Sequence, residues 1–470
     1  MFIACVFMNG FAQKTDNLSI DLSSTIMQRY PDPSTFPWCS WSYPQGYMLM
    51  GMAKLFETTQ DSIYYYYIMK FADSQVDSFG NLSRFKGYSM DDMMPGAVIV
   101  WAYQHTGLEK YRIAANSIRE KYTNYPRTSD SLFLHKSDLK GEVWVDGVFM
   151  GQMFLANYGK YIGDSEYCFN EAARQLIGIH HKLLKGNSGL LYHAWDEDKD
   201  AIWADPKTGL SPEVWSEGLG WYALIMVETL EIFPKNQPLR AELEQICRDL
   251  MNDLKKVQDP KTGLWFQVVD KGDRADNWND TSGSAMFLYA IKKAGELGII
   301  NPKQFKKVVE NAYKGIRTKA VINSKDGLID IVNACDGVCV QTSYDVYINY
   351  PQKVNAKEAV AGVLWASWIV EKPKKIFSHR GGIKTLTTPT NSADTALHVK
   401  INLSGKMPTV SITSPGNGAT FSSPANISIA ANAFGNISKV EFYSDSTLIG
   451  IANSYPYSFI WNNVSQGTYK

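Results

Sequence analysis

"FMGQMFLANYGKYIGD", residues 149–164, sets apolar side chains at three- and four-residue intervals and then stops at a Gly-Asp step. Residues three and four apart share a helix face, so this period predicts a packed α-helix ending near Gly163. The same texture returns in "GAVIVWAYQHTG" (96–107), "GLGWYALIMVETLEIF" (218–233) and "SGSAMFLYAIKKAGELG" (282–298). Between the helices recur short turn-and-strand phrases built on a Gly-Leu step: "NSGLLYHAWD" from 187, "DPKTGLSPEVW" from 205, "DPKTGLWFQVVD" from 259 and "KDGLIDI" from 325. Reuse of one such unit predicts an α/α toroid over residues 20–371, whose inner helices converge while loops on one face frame a cleft.

The texture changes after Glu371. Residues 372–407 are polar, rich in Lys, Thr and Ser, and lack helical periodicity, so they read as a linker. Residues 408–470 alternate with period two between Gly, Pro and Asn turns, the pattern of an all-β sandwich. That module resembles the bacterial Ig-like repeats appended to secreted carbohydrate enzymes. The resemblance expects one strand more after "GTYK", so the module reads as incomplete.

At the other end, "MFIACVFMNGFAQK" looks like the remnant of a signal peptide over residues 1–13, which implies a secreted, periplasmic or cell-surface protein. The run is too short to span a bilayer, and no later stretch reads as a membrane span. Lys plus Arg and Asp plus Glu both number 47 in 470 residues, so no global field recruits nucleic acid. With Cys5 leaving in the signal, Cys39, Cys168, Cys247, Cys335 and Cys339 form no even disulfide framework. "CDGVC" has no second pair to make a zinc site and reads as free or locally bridged thiols. Aromatic residues reach 13%, with 13 Trp and 26 Tyr, a supply of flat faces that serves a large core or sugar stacking.

One acid stands out: Asp146 lies between Trp144 and the apolar run of the 149–164 helix. A buried carboxylate is costly, so it becomes neutral, gains a partner or is kept for chemistry. Trp144 and Phe149 are expected to desolvate Asp146 and raise its pKa toward neutrality, while a helix starting near Gly147 pulls the other way. Asp146 as a plain cap for that helix is the alternative. Asp91 and Asp92, in "SMDD", likewise fit either a site or a charged helix N-terminus.

Five phrases in order, "YSMDDMMPG" (88–96), "LHKSDLKGEVWVDGVFMGQMFLANYGK" (134–160), "LLYHAWDE" (190–197), "SPEVWSEGLGWYA" (211–223) and "WNDTSGSAMFLYAIKKA" (278–294), resemble the unsaturated glycuronyl hydrolases. The likeness is strongest to the unsaturated rhamnogalacturonyl hydrolases of glycoside hydrolase family 105. It implies an (α/α)6 barrel acting, without metal or organic cofactor, on oligosaccharides that carry a terminal Δ4,5-unsaturated uronic acid. It also implies catalytic roles for Asp146, Asp91 and His193, with Asp92 the weaker member of its pair. His135, Trp144, Trp195, Trp215, Glu217 and Trp221 fall on substrate-side positions of the resemblance. His193 is flanked by Trp195 and Asp196, offering a stacking wall and an orienting acceptor. Trp215 and Trp221 lie six apart, so a turn before the helix is the easier way to aim both inward.

Glu217 departs from the resemblance, which commonly has Arg there; an acid cannot clamp a uronate carboxylate as a cation does. Either another donor recognises the carboxylate or the preferred sugar differs. Two other functions fit the same residues: a glycosidase of this barrel acting on saturated sugars with Asp91 and Asp146 as opposed carboxylates, and a non-catalytic glycan-binding protein, which Glu217 favours. The sequence sets no oligomeric state.

Overall fold

The apolar helices read from sequence form the inner wall of a closed ring. The computed structural model describes residues 16–37, 40–374, 399–403, 409–416, 419–434, 437–444, 447–453, 457–467 and 469; residues 1–13, read above as a signal-peptide remnant, and residues 375–398 of the expected linker lie outside them. In chain order the helices are α1 (Leu18–Arg29), α2 (Tyr43–Thr59), α3 (Ser62–Gln75), α4 (Gly96–Thr106), α5 (Glu109–Lys121), α6 (Gly147–Tyr161), α7 (Ser165–Leu183), α8 (Ser216–Ile232), α9 (Arg240–Lys256), α10 (Thr281–Glu296), α11 (Pro302–Lys319), α12 (Tyr344–Ile348) and α13 (Lys357–Glu371). Helices α2, α4, α6, α8, α10 and α13 each contact the next, and α13 returns to α2. Around them α3, α5, α7, α9 and α11 back α2, α4, α6, α8 and α10, while α1 backs α13. The result is an (α/α)6 barrel.

Burial explains which helix goes where. Helix α8 is buried from Ser216 through Leu230 and α6 from Gly147 through Gly159, as expected of helices apolar all round. Helices α9 and α11 carry single apolar stripes (Leu243, Ile246, Leu250 and Leu254 on α9) and keep charged faces outward. Four inner helices meet on the axis through Tyr47, Phe149, Trp221 and Trp365. The Tyr47–Trp221 ring centroids are 4.7 Å apart, Phe149–Trp221 4.8 Å and Tyr47–Trp365 5.0 Å. These rings fill the barrel, leaving its chemistry to one end.

The sixth pair joins helices distant in sequence. Glu371, the last residue of α13, accepts from the α1 amides of Leu18 at 2.6 Å and Ser19 at 2.9 Å, and from Ser19 Oγ at 2.5 Å. Those amides have no partner within their own helix, and a carboxylate there also complements the helix dipole. Tyr313 of α11 donates to the same carboxylate.

Three of the four Gly-Leu phrases are one turn reused; in the first, Gly189 N bonds Asp253 Oδ2 instead. Asp205 N bonds Leu210 O at 2.9 Å and Gly209 N bonds Asp205 O at 2.8 Å; Asp259 with Leu264 and Gly263, and Asn323 with Leu328 and Gly327, repeat the pattern. The glycine φ values of +79°, +77° and +72° lie in the left-handed region that only glycine enters freely.

Residues 1–377 and 378–470 form separate compact units. The second packs two three-stranded sheets. Its core includes Ile427, Ile429, Val440, Phe442 and Val464, and the Ile427/Ile429 and Val440/Phe442 pairs show the inward alternation expected from sequence. The sequence reading placed residues 372–407 in a linker, but Val399–Leu403 forms a strand paired antiparallel with Ile437–Ser444. Backbone pairing needs no helical period, so the composition of this segment hid the strand. Among the described residues no helix is long and apolar enough to cross a membrane.

Candidate active site

Short extended segments lead into the inner helices and bond sideways to one another. Strand β1 (Glu142–Trp144) runs antiparallel to β2 (Ala194–Asp196), with Trp144 opposite Ala194 and Val143 opposite Trp195. Val145 N then bonds His193 O at 2.9 Å, His193 N bonds Glu213 O at 3.1 Å, and Ser216 N bonds Gln267 O at 2.9 Å. This lattice brings acids to the N-terminal ends of the inner helices: Asp146 at α6, Glu217 at α8, Asp280 at α10 and Glu358 at α13, with Asp91 in a 3-10 turn before α4.

Asp146 occupies the N-cap position of α6, yet its side chain makes no capping hydrogen bond. Its Oδ1 is buried without a partner and lies 3.7 Å from His193 Nε2, which is also buried without a partner. That separation is too long for a hydrogen bond. His193 is fully buried, and its Nδ1 is 2.7 Å from Tyr347 OH of α12. Trp215 packs on the imidazole at 4.5 Å, and Trp144 meets it edge-on at 6.0 Å. The other face of the site is His135, stacked on Trp144 at 4.2 Å and 8°.

The carboxyl groups differ sharply. Burial pushes Asp91 up to about 6, with Asp146, Asp92 and Glu358 adding to the rise and His135 opposing it. Burial also raises Asp146, but the imidazoles of His135 and His193 outweigh it and hold the group below the usual carboxylate range. The raised pKa expected for Asp146 is therefore corrected: hydrophobic neighbours were visible in the sequence, the imidazoles folded against it were not. His193 is itself pushed down by burial, which favours neutral imidazole. Asp92 differs from Asp91 in that its Oδ2 accepts from Tyr88 N at 3.1 Å, a bond within its own turn.

Two tryptophans and one acid are placed differently from the sequence reading. Strand alternation sends Trp195 to the face opposite Trp144; its Nε1 bonds Thr208 O at 3.1 Å and Lys182 covers its ring at 4.3 Å. Asp196 accepts from the amides of Asp198, Asp200 and Ala201, folding the loop rather than orienting His193. Trp215 and Tyr347 fill those two roles. Trp215 precedes α8 as expected, but Trp221 belongs to the axial ring cluster at 2% exposure, the floor of the site rather than a sugar platform.

Glu217 is buried within a second acidic cluster. Ser282 Oγ is 2.8 Å from Glu217 Oε2 and 2.7 Å from Asp280 Oδ2. A hydroxyl has one proton, so one of those carboxyls must carry its own. Asp280 accepts from the amides of Ser282, Gly283 and Cys335, which favour its charged form against the burial that raises its pKa. Burial, together with Glu358 and Asp280, pushes Glu217 well above the carboxylate range, in agreement. Glu358 pairs with Lys357 at 2.8 Å and accepts from Tyr43. Cys335 is buried and Cys339 exposed, both free thiols. Sequence reasoning missed Tyr347, Tyr43, Asp280, Ser282 and Glu358. An acid in or next to the first turn of successive apolar helices was the signal that could have found the last of these and Asp280. Among the described residues no group of three His, Cys, Asp or Glu is set to hold a metal ion.

Residues 19–373 match the model of Glycosyl Hydrolase Family 88. The chain belongs to that family. Beyond the family-88 domain, residues 408–470 match the bacterial Ig domain. A glycoside hydrolase of family 105 from C. acetobutylicum ATCC 824 shares 33% identity and a TM-score of 0.71, covering 76% of this chain and 100% of its own. The unsaturated rhamnogalacturonyl hydrolase YesR of Bacillus subtilis is 23% identical over 320 residues, 67% of this chain and 85% of that relative. The 24.9 kDa protein in the picA locus of Rhizobium radiobacter is 36% identical over 157 residues, 33% of this chain; that match spans 66% of the relative's own length. Family 88 thus covers the whole barrel, including each acid placed at the mouth.

Proposed function

We propose that this chain removes a terminal Δ4,5-unsaturated uronic acid, galacturonyl or glucuronyl, from lyase-generated oligosaccharides such as those from pectin, by hydrating the C4–C5 double bond. The carrying observation is the pair Asp146 Oδ1 and His193 Nε2, buried, unpartnered and 3.7 Å apart. Buried polar atoms are nearly always satisfied. His135 Nδ1 and Trp215 Nε1 are likewise buried without partners.

In this reading Asp91, pushed up to about 6 by burial, is the carboxyl that takes a proton first, while Asp146 is held below the usual carboxylate range. Entry of an anionic uronate expels water around Asp146 and raises its proton affinity, and Asp146 takes up the proton that Asp91 releases. Asp146 delivers it to C4, positive charge develops at C5 beside the ring oxygen, and water adds there as Asp146 takes a proton back. The hemiketal opens and frees the neighbouring sugar. His193 steadies the water or the developing charge. Glu217, neutral and buried, is no cationic clamp, so carboxylate recognition falls to other donors at the mouth.

A second reading is favoured by one observation: two acids whose pKa values are pushed apart also suit direct displacement at a saturated anomeric carbon. Ultraviolet absorbance separates the two, because only the unsaturated acid loses a chromophore on hydration. Lyase products from pectin, arabinogalactan and glycosaminoglycans should be incubated with the intact protein and with Asp146→Asn. Loss of absorbance that falls roughly 10²- to 10⁴-fold in the variant is expected. Turnover unaltered by Asp146→Asn, or confined to saturated glycosides, sinks the proposal.

A further inference from the structure

Tyr347 and His193 lie 154 residues apart in sequence and are both buried, with the phenol oxygen 2.7 Å from imidazole Nδ1. The phenol is not otherwise idle: Gln341 N donates to the same oxygen at 3.1 Å. A phenol has one proton to give, and burial pushes the Tyr347 pKa well up, so that proton is present. Had Nδ1 carried a proton toward the phenol, the phenol oxygen would receive two donors and its own proton would be left without the imidazole as acceptor. Donation from Tyr347 to Nδ1 satisfies all three groups. It also places the remaining imidazole proton on Nε2, the nitrogen that faces Asp146.

We propose that Tyr347 is a positioning residue that fixes the tautomer of His193, holding an Nε2–H toward Asp146 and excluding the reverse tautomer. The backbone of Gln341 keeps the phenol in its donating role, and Trp215 at 4.5 Å holds the ring plane. In the opposite tautomer Nε2 would present a lone pair to the Asp146 carboxylate, repelling the group it faces. The device rests on the reading of Asp146 as the acid–base group for its use, but the tautomer exists with or without substrate.

A pH dependence follows. The titratable groups facing His193 are Asp146 at the start of α6, His135 from the segment before β1 and Tyr347 from α12, with Glu213 and Cys335 near Tyr347. Asp146 favours the imidazolium and His135 disfavours it. Tyr347 opposes protonation too, because its hydroxyl occupies the Nδ1 lone pair. Tyr347→Phe frees that lone pair, so His193 takes up a proton at higher pH and the acid limb of kcat/KM moves upward. A loss of mere packing would lower the rate alike at every pH.

The test pairs kinetics with nitrogen-15 spectra of ring-labelled histidine in the full chain, His193 being assigned by its absence in His193→Gln. In the unaltered protein Nε2 is expected as the protonated nitrogen and Nδ1 as the acceptor. Tyr347→Phe is expected to mix the tautomers, move the acid limb upward and lower kcat/KM by at least about 10-fold, the scale on which a second group that orients a catalytic imidazole acts. A proton on Nδ1 in the unaltered protein overturns the proposal even if the variant fails to fold. Unmoved nitrogen signals and an unmoved limb in a folded variant overturn it as well. If no unsaturated glycuronide is turned over, the functional reading falls while the spectra still decide Tyr347.

Discussion

A β-carbon on Gly147 would stand 2.8 Å from Nδ1 of His135. The first residue of α6 and an imidazole from the segment before β1 are thus in the closest contact their atoms permit, and the lack of a side chain on Gly147 sets the depth to which His135 enters. Gly147→Ala must push that ring from Trp144, its stacking partner at 4.2 Å. Displacement of about 1 Å at a site of this kind costs roughly 10²-fold in rate. Steady-state kinetics should show that fall while the melting temperature shifts by only a few degrees.

Asp91 links function to stability with a definite sign. Its pKa rises from 3.8 to about 6 on folding, so between those values the folded chain holds a proton the unfolded chain has released. Stability therefore declines as pH rises through that window and remains lowered above it. Asp91→Asn removes the effect. Thermal unfolding should find the variant more stable at pH 7.5 by on the order of 1 to 2 kcal/mol, discounted from the full shift because Asp91 is only partly buried, and equal to the parent near pH 4. Activity should be lost in the same variant. A variant no more stable at pH 7.5 than at pH 4, relative to the parent, would show that the charge is not confined.

The shared hydroxyl of Ser282 separates two acids that look alike in sequence. Because Glu217 holds its own proton, Glu217→Gln exchanges one neutral group for another and should cost less than about 1 kcal/mol. Asp280→Asn replaces an anion that caps α10 and holds the Cys335 amide, and should cost about 2 kcal/mol or more. Urea denaturation of the two variants checks the order. Equal losses would place the proton on the wrong residue.

At the seam of the barrel, Glu371→Ala leaves two α1 amides and the Tyr313 hydroxyl without their carboxylate. The expected loss is about 2 to 3 kcal/mol, read as a lower denaturation midpoint. Hydrogen exchange should rise first at Leu18 and Ser19.

Much of this architecture was legible in the chain because helical period and glycine stops are local. The four apolar segments quoted at the outset are α4, α6, α8 and α10, and three of the four Gly-Leu phrases are copies of one hydrogen-bonded turn. Asp146, His135, Trp144, His193 and Trp215 come together because short paired strands aim them, and the order of phrases carried that much. Direction was harder. Whether Trp195 or Trp144 faces the mouth depends on which strand pairs with which and in what register, which composition does not encode. The sign of the Asp146 shift depends on two imidazoles delivered by other segments. Tyr347 lies in a five-residue helix too short for any periodic signal.

Closing the ring through α1 and α13 fixes the order in which a ribosome can complete it. Helix α1 is made first, yet the carboxylate that seals it belongs to residue 371, 353 positions after Leu18. Five helical hairpins can assemble from neighbours as they emerge, but the last stave waits for almost the whole barrel to be translated. During that interval the flank of α2 that α13 will cover stands bare.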